Sequence, residues 1–456
     1  MKEFIQEDID RIVGIIKADD SEAARAELSD LHPADVAELL QQLDTEESEY
    51  LFKLLDEDTA ADVLMELDED ERLKLIEDMP AEEIAKQINH LDTDDAVDLI
   101  QQLDEEERDE IISHIDDVEQ AGDIIDLLKY DEDTAGGLMG TEMIVVNENW
   151  SMPECIKQMR LQAEDMDEIY YVYVVDNDYR LRGTLPLKMM LTHPSVSKIK
   201  HVMEADPVSV KADMPIDELA LDFEKYDLVA MPVVDSIGRL LGRITVDDVM
   251  DQVRESSERD YQLASGISSD VDADDSVIAQ TKARIPWLLV GIASGILASV
   301  ILGAFEAQLQ AVTALALFIP IIGGTGGNVG VQASAIVVQG LANGSLEIKE
   351  FASQLGKETL IGLLNATIIT AVVLVYNLIA MPGELAVTLS VAVSLFVVVM
   401  FASILGTIIP LSLEKIHINP ALATGPFIQI MNDLFGIIIY VQVATFFLRR
   451  MTDIAI

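Results

Sequence analysis

Four stretches in the C-terminal part of the chain, 285–305, 307–346, 359–383 and 385–413, contain no charged residue. A fifth, 421–448, is interrupted only by Asp433. About 20 apolar residues suffice to cross a bilayer as a helix, and buried helices of soluble proteins seldom run so long without charge. In lipid, backbone groups must be bonded within the protein, which leaves helices as the form such runs take. Five spans are therefore expected, and an odd number places the chain ends on opposite faces. With the N-terminal half in the cytosol, Lys282, Arg284, Lys349, Lys357 and Lys415 fall on the cytosolic face and Arg449 and Arg450 on the other. The positive-inside rule favours that sense.

Charge divides the chain at the same place. The formal charge is −52 over 456 residues, yet from Arg284 onward there are only six Lys/Arg and eight Asp/Glu. The first 283 residues hold the other 24 and 74. Binding to nucleic acid needs Lys and Arg against phosphate, so no nucleic-acid partner is expected, and cations are the natural partners of such a surface. The plainer reading is a charged surface that keeps the domain soluble. The one cysteine, Cys155, rules out an intramolecular disulfide and is compatible with a reducing compartment. The start, MKEFIQEDIDRIVGIIKADD, is too acidic and too short in apolar run for a signal peptide, so the acidic half is expected in the cytosol.

Within that half, every twelfth residue from Leu31 is apolar: Leu31, Leu43, Leu55, Leu67, Met79, Leu91, Leu103 and Ile115. Most are followed by Asp, which caps free N–H groups at a helix start, with further acids in the first turn. Twelve residues hold one short helix and its turn, so residues 1–130 read as an all-α superhelical stack, an architecture used for interaction. His32, His90 and His114 lie in separate repeats and read as surface or core residues rather than a metal site.

The middle third is a duplication. Val174-Val175-Asp176 and Leu181-Arg182-Gly183 recur 59 residues later as Val233-Val234-Asp235 and Leu240-Leu241-Gly242. Each copy reads as strand, Asp/Gly turn, strand, helix. This pattern resembles a tandem pair of CBS domains, at 131–199 and 200–256. The resemblance implies dimerisation and an adenine nucleotide as regulatory ligand. Its nucleotide signature occurs once, as Thr245 and Asp248; Pro186 and Met189 stand at the matching positions of the first copy.

In the membrane half, the second run is too long for one straight span, and its centre reads GGTGGNVGVQAS. Four glycines in five positions weaken a helix, and non-helical backbone at membrane depth is tolerated where it lines a cavity. Asn328 and Gln332 favour such a cavity; tight helix packing is the other reading. Asp433 follows NPALATGP, whose Pro420 and Pro426 suit a helix start and a kink. A carboxylate at bilayer depth costs at least ~2.5–3.5 kcal/mol and points to function. Two such carboxylates across a dimer axis can face one hydrated divalent cation, and Mg²⁺ gives up its waters reluctantly. Asn432, Pro420 and Gly425 join Asn328 and Gln332 as candidates to line that path. His417 stands alone in this half, against a soft transition-metal site.

Together the acidic repeat, two CBS units, a linking helix (257–283), a five-span pore domain (284–456), YDEDTAGGLM (130–139), GGTGGNVG and PALATGPF…ND resemble the MgtE magnesium channel/transporter family over nearly the whole chain. The resemblance implies a multidomain homodimer in the cell membrane, with the pore between ten spans, the N-terminal and CBS domains in the cytosol and the C-terminus on the opposite face. It implies Asp433 as the ion-selective residue. It further implies that cytosolic Mg²⁺ closes the pore through carboxylates matching Asp217, Asp227, Asp248, Asp251 and Asp260, and more loosely Asp94, Asp95 and Asp98. Ser256, Arg259 and Pro215 depart from the acids expected in the CBS unit and linking helix, and Val331 and Asn419 from polar or acidic residues near the pore. A coupled transporter or exporter of Co²⁺ or Mn²⁺ and a CBS membrane sensor without transport are the rival readings. An enzyme is not expected: no nucleophile–base set appears, and GGTGGNVG lacks the Lys-Ser/Thr ending of a phosphate loop.

Overall fold

The protein is described here by a computed structural model covering residues 4–451 without 30, 78, 164, 165, 167, 168, 195, 196, 270, 274, 347, 348 and 350. The chain divides into two units, 1–253 and 254–456.

In the first unit the acidic repeat forms short helices: α1 (Gln6–Lys17), α2 (Ser21–Leu28), α3 (Pro33–Gln41), α4 (Thr45–Phe52), α5 (Glu57–Glu66), α6 (Glu69–Ile76), α7 (Ala81–Ile88), α8 (Thr93–Gln101), α9 (Glu105–Ile112) and α10 (Val118–Leu127). Repeated aspartates start them. Asp44 accepts from the Glu47 N–H at 2.9 Å, Asp56 from Thr59 at 3.1 Å and Asp104 from Glu106 and Glu107 at 3.0 Å. The leucine before each cap is buried or packs against the core. Helices two apart are neighbours: α3 packs on α5, α5 on α7 and α7 on α9, while α4 packs on α6 and α8 on α10. The sequence period of twelve is thus one helix, and the structural period is two. Buried Arg72 closes the end of α5, donating to the carbonyls of Leu64, Met65 and Leu67 at 2.9–3.1 Å.

The duplicated part contains β1 (Ile144–Asn147), α11 (Met152–Gln162), β2 (Val172–Val175), β3 (Leu181–Leu185), α12 (Leu187–Thr192), β4 (Glu204–Ala205), β5 (Val210–Lys211), α13 (Ile216–Tyr226), β6 (Ala230–Val234), β7 (Leu240–Thr245) and α14 (Val246–Ser265). The 59-residue offset is kept down to hydrogen bonds. Val174 pairs with Gly183 and Val233 with Gly242, each antiparallel and each just before a bulge. Asp176 accepts from the N–H groups of Asp178 and Arg180 in one turn, and Asp235 from those of Ile237 and Arg239 in the other.

The copies exchange edges across the boundaries drawn at 131 and 200. Glu204–Ala205 pairs with β3 of the first sheet. Residues 135–140 bond to the second copy instead: Ala135 N–H to Met214 O at 2.8 Å, Gly136 N–H to Ala212 O at 2.9 Å, and Gly140 with Arg243. Gly183 and Gly242 permit this approach. A Cβ at either would lie 2.5 Å from Glu204 O or 2.6 Å from Gly140 O. The core of the helical repeat continues into the second copy through Leu219, Phe223, Met231 and Ile244.

The linking segment is not one helix. α14 runs unbroken out of the second CBS copy and stops at Ser265, because Gly266 takes a left-handed φ of 81°.

The second unit holds α15 (Val277–Ala304), α16 (Glu306–Ala311), α17 (Ile319–Ala342), α18 (Phe351–Ala380), α19 (Leu385–Lys415) and α20 (Gly425–Met451). Five helical segments among the described residues are long and apolar enough to cross a membrane. The overlong second run is resolved by α16 and a 3₁₀ turn at Thr313–Phe318 ahead of α17. The glycine-rich motif stays helical throughout, so close packing accounts for it rather than a broken backbone. α19 is central, with α17, α18 and α20 against it; α15 packs on α20 and leaves its apolar side chains exposed, as suits lipid or another chain.

Candidate functional site

Asp433 lies on α20 where that helix crosses the glycines of α17. Glycines 323, 327 and 330 recur at spacings of four and three, forming one face. A Cβ on Gly323 would stand 3.3 Å from Asp433 Oδ1, one on Gly327 would overlap the Gln429 amide, and one on Gly330 would overlap Asn432 Nδ2. The stripe therefore admits the polar edge of α20, in which Gln429 Nε2 points to Asp433 Oδ1 at 3.5 Å. Gln429 escaped the sequence reading, although its place one helical turn before Asp433 is a usable signal.

The other expected lining residues divide. Asn328 and Gln332 are on the exposed side of α17. Asn432 is 2% exposed and both its amide atoms lack a hydrogen-bond partner. It is wedged between helices, so it does not line an open path in this arrangement: the helical phase of α20 turns it toward α17 while Asp433 stays half-buried. Pro420 starts the 3₁₀ turn Pro420–Ala423, whose Ala423 carbonyl accepts from the buried Ser334 hydroxyl at 2.8 Å. Gly425 has a φ of 34° and abuts the Ala264 carbonyl at the end of α14. Nearby, Asn419 Nδ2 donates to Asp260 Oδ1 at 2.8 Å. Asp260 is thus engaged at the start of α20, and Asn419 serves as a bridge.

A second concentration of carboxylates lies in the first unit, where α8 meets the second CBS copy. Oxygens of Asp92, Asp94 and Glu142 come within 4.8 Å of one another. Thr93 fixes this corner: its N–H and hydroxyl donate to Glu142 at 3.0 and 3.1 Å, and it accepts from the Thr141 N–H at 2.9 Å. Arg243 pairs with Asp92 at 3.1 Å and bonds the Glu142 carbonyl. Gly140 leaves room for Asp94, whose Oδ2 would be 2.8 Å from a Cβ there.

Burial, then the charges of Asp95, Asp248, Glu142 and Asp92, holds Asp94 well above the ordinary carboxylate range. Burial and Asp248 push Asp95 up to about 7. Burial raises Asp248 and Glu142 as well. Several carboxylates competing for few protons at one place form an all-oxygen set of the kind hard divalent cations take.

The cluster gathers Asp94, Asp95 and Asp248 as expected candidates and adds Asp92, Glu142 and Arg243. Asp98 neighbours Asp95 and Arg72 at its edge. Asp217, Asp227 and Asp251 are exposed, on α13, at its left-handed C-cap and on α14. Thr245 is buried and both its N–H and its hydroxyl donate to Asp248. The pair caps α14, and Asp248 faces the acids of the helical repeat.

The chain matches three families: the divalent cation transporter MgtE over residues 319–443, the MgtE intracellular N domain over 31–133, and the CBS domain over 135–194 and 199–255. It is 35% identical to the magnesium transporter MgtE of Thermus thermophilus over 325 residues, covering 71% of this chain and 72% of that protein. It is 29% identical to that of Enterococcus faecalis, covering 73% of each. Among solved structures, the cytosolic domain of the Mg²⁺ channel MgtE in complex with ATP is similar at 31% identity and a TM-score of 0.51, over 54% of this chain and 99% of that one.

Proposed function

The chain belongs to the MgtE family of divalent cation transporters, and from that premise we propose that it is a Mg²⁺ channel or transporter of the cell membrane. The observation that carries the reading is Asp433, a carboxylate held among apolar spans at a glycine-lined helix crossing. Two chains form the path, with the two Asp433 side chains facing one hydrated cation, and Asn328 and Gln332 on the exposed face of α17 lie along it. The charged first unit lies in the cytosol and the C-terminus on the far side.

Regulation resides in the acidic cluster. Repulsion among Asp92, Asp94, Asp95, Glu142 and Asp248 opposes the contact between α8 and the second CBS copy. Cytosolic Mg²⁺ removes that repulsion and populates the closed state. Asp217, Asp227 and Asp251 contribute at other surfaces. The unbroken α14 carries the change, since Asp248 lies in its first turn and its last turn meets Gly425 and, through Asp260, Asn419. The ATP complex of the relative supports an adenine nucleotide at the CBS pair, with Thr245 and Asp248 as its candidate residues.

The test is Mg²⁺ flux into proteoliposomes with low and high Mg²⁺ on the cytosolic side. Flux is expected only at low cytosolic Mg²⁺; no flux under either condition defeats the transport reading, and equal flux under both defeats the regulatory one. Co²⁺ and Mn²⁺ carried in preference to Mg²⁺ would favour the exporter reading instead.

A further inference from the structure

We propose that the cavity at the C-terminal end of α20 seats one phospholipid whose headgroup combines a phosphate with free hydroxyls, the chemistry of phosphatidylglycerol. The cavity encloses about 460 Å³ and is lined by Gln308 of α16 and by Thr445, Arg449 and Arg450 of α20, with Phe305 and Phe446 as apolar wall. It lies at the end of a membrane span, where lipid headgroups meet water.

Two of its polar groups lack hydrogen-bond partners. Thr445 is 9% exposed with its hydroxyl unbonded, and Gln308 Oε1 is likewise buried without a donor. Buried polar atoms left so are uncommon and costly, so the lining needs an occupant that donates. The Arg450 guanidinium lies 4.7 Å above the Phe446 ring, which holds its charge at the cavity beside Arg449. Guanidinium groups bind phosphate with directed pairs of N–H bonds. Phosphate against the arginines, hydroxyls against Gln308 and Thr445, and acyl chains beyond the phenylalanines satisfy each wall. A choline headgroup brings phosphate but no donor.

The experiment is thermal unfolding of the full-length, delipidated protein in detergent with phosphatidylglycerol, phosphatidylcholine or soluble glycerol phosphate. Phosphatidylglycerol is expected to raise the melting temperature by roughly 2–4 °C and the other two by less than half as much. That gain is expected to vanish in Arg449→Gln/Arg450→Gln and to halve in Thr445→Val, which preserves side-chain shape. Equal gains from both lipids, or a full gain in both variants, overturns the proposal. A gain from glycerol phosphate equal to that from the lipid shows a soluble-anion site and overturns the lipid assignment. No response to any additive, as when a second copy of the chain fills the cavity, also overturns it.

Discussion

The two units use the same side chain under opposite conditions. In the first, carboxylates from α8, from the segment after Gly140 and from α14 converge until their charges oppose one another. In the second, Asp433 sits among apolar helices and accepts from the Gln429 amide. A crowd of acids makes a surface whose stability depends on cations in solution. A solitary acid at bilayer depth makes a place where a passing cation is favoured and not trapped. Number and surroundings, not residue type, separate the proposed sensor from the proposed path.

The sharpest way to break this comparison is at Asp433. Asp433→Ala and Asp433→Asn are both expected to lower Mg²⁺ flux by roughly 100-fold or more in a folded protein, because charge rather than shape attracts the ion. Near wild-type flux in either variant ends its role in the path.

The helix crossing is next. Gly330→Ala pushes a methyl group into Asn432 and is expected to destabilise the membrane unit by about 1–3 kcal/mol. Asn432→Ala in the same chain should recover part of that loss; an additive double variant, measured by thermal unfolding, would separate the two residues.

On the sensing side, Asp94→Asn, Asp95→Asn and Asp248→Asn together remove both the repulsion and the ligands. The contact between the helical repeat and the second CBS copy should then resist protease without Mg²⁺, and Mg²⁺ should change protection less than about 2-fold. A Mg²⁺ response equal to wild type would reduce the cluster to solvated surface.

The same contact should respond to pH. Asp95 titrates near 7 in this arrangement against an ordinary value near 3.8, so its carboxyl favours the contact at low pH. That contribution is fully present below the unfolded value and is lost as pH rises through about 7. In metal-free buffer, protection should be greater at pH 6 than at pH 8, and added Mg²⁺ should have its larger effect at pH 8. The reverse order, read by limited proteolysis, would contradict the assigned repulsion. The smallest effect is expected from Asp217→Asn or Asp251→Asn alone: one exposed carboxylate contributes about 1 kcal/mol or less, so the Mg²⁺ midpoint should move by a few-fold at most.

Much of this was legible along the chain because it is written in local periods. Aspartates before each leucine-rich helix, the 59-residue duplication and the uncharged runs specify elements through capping, alternation and hydropathy, all of which act over a few residues. Asp433 declared itself by being the one charge in a span. Other features needed the third dimension. Glu142 meets Thr93 across 49 residues of sequence, and nothing near either marks the other. The CBS copies exchange their edges because Gly183 and Gly242 admit a foreign backbone, a fact visible only when that backbone is in place. The glycine motif read as a helix breaker became a socket once α20 lay against it.

By itself, then, the sequence determined which segments cross the membrane, which repeat and where the isolated carboxylate falls, since short-range bonding and solvent preference suffice for each. Only the tertiary structure decided which acids share one place, that Asn432 is buried beside a half-buried Asp433, and that Arg449 and Arg450 border a cavity with Gln308. Those outcomes depend on helix phase and on contacts between distant segments, where a rotation of one residue, about 100°, exchanges a buried side chain for an exposed one.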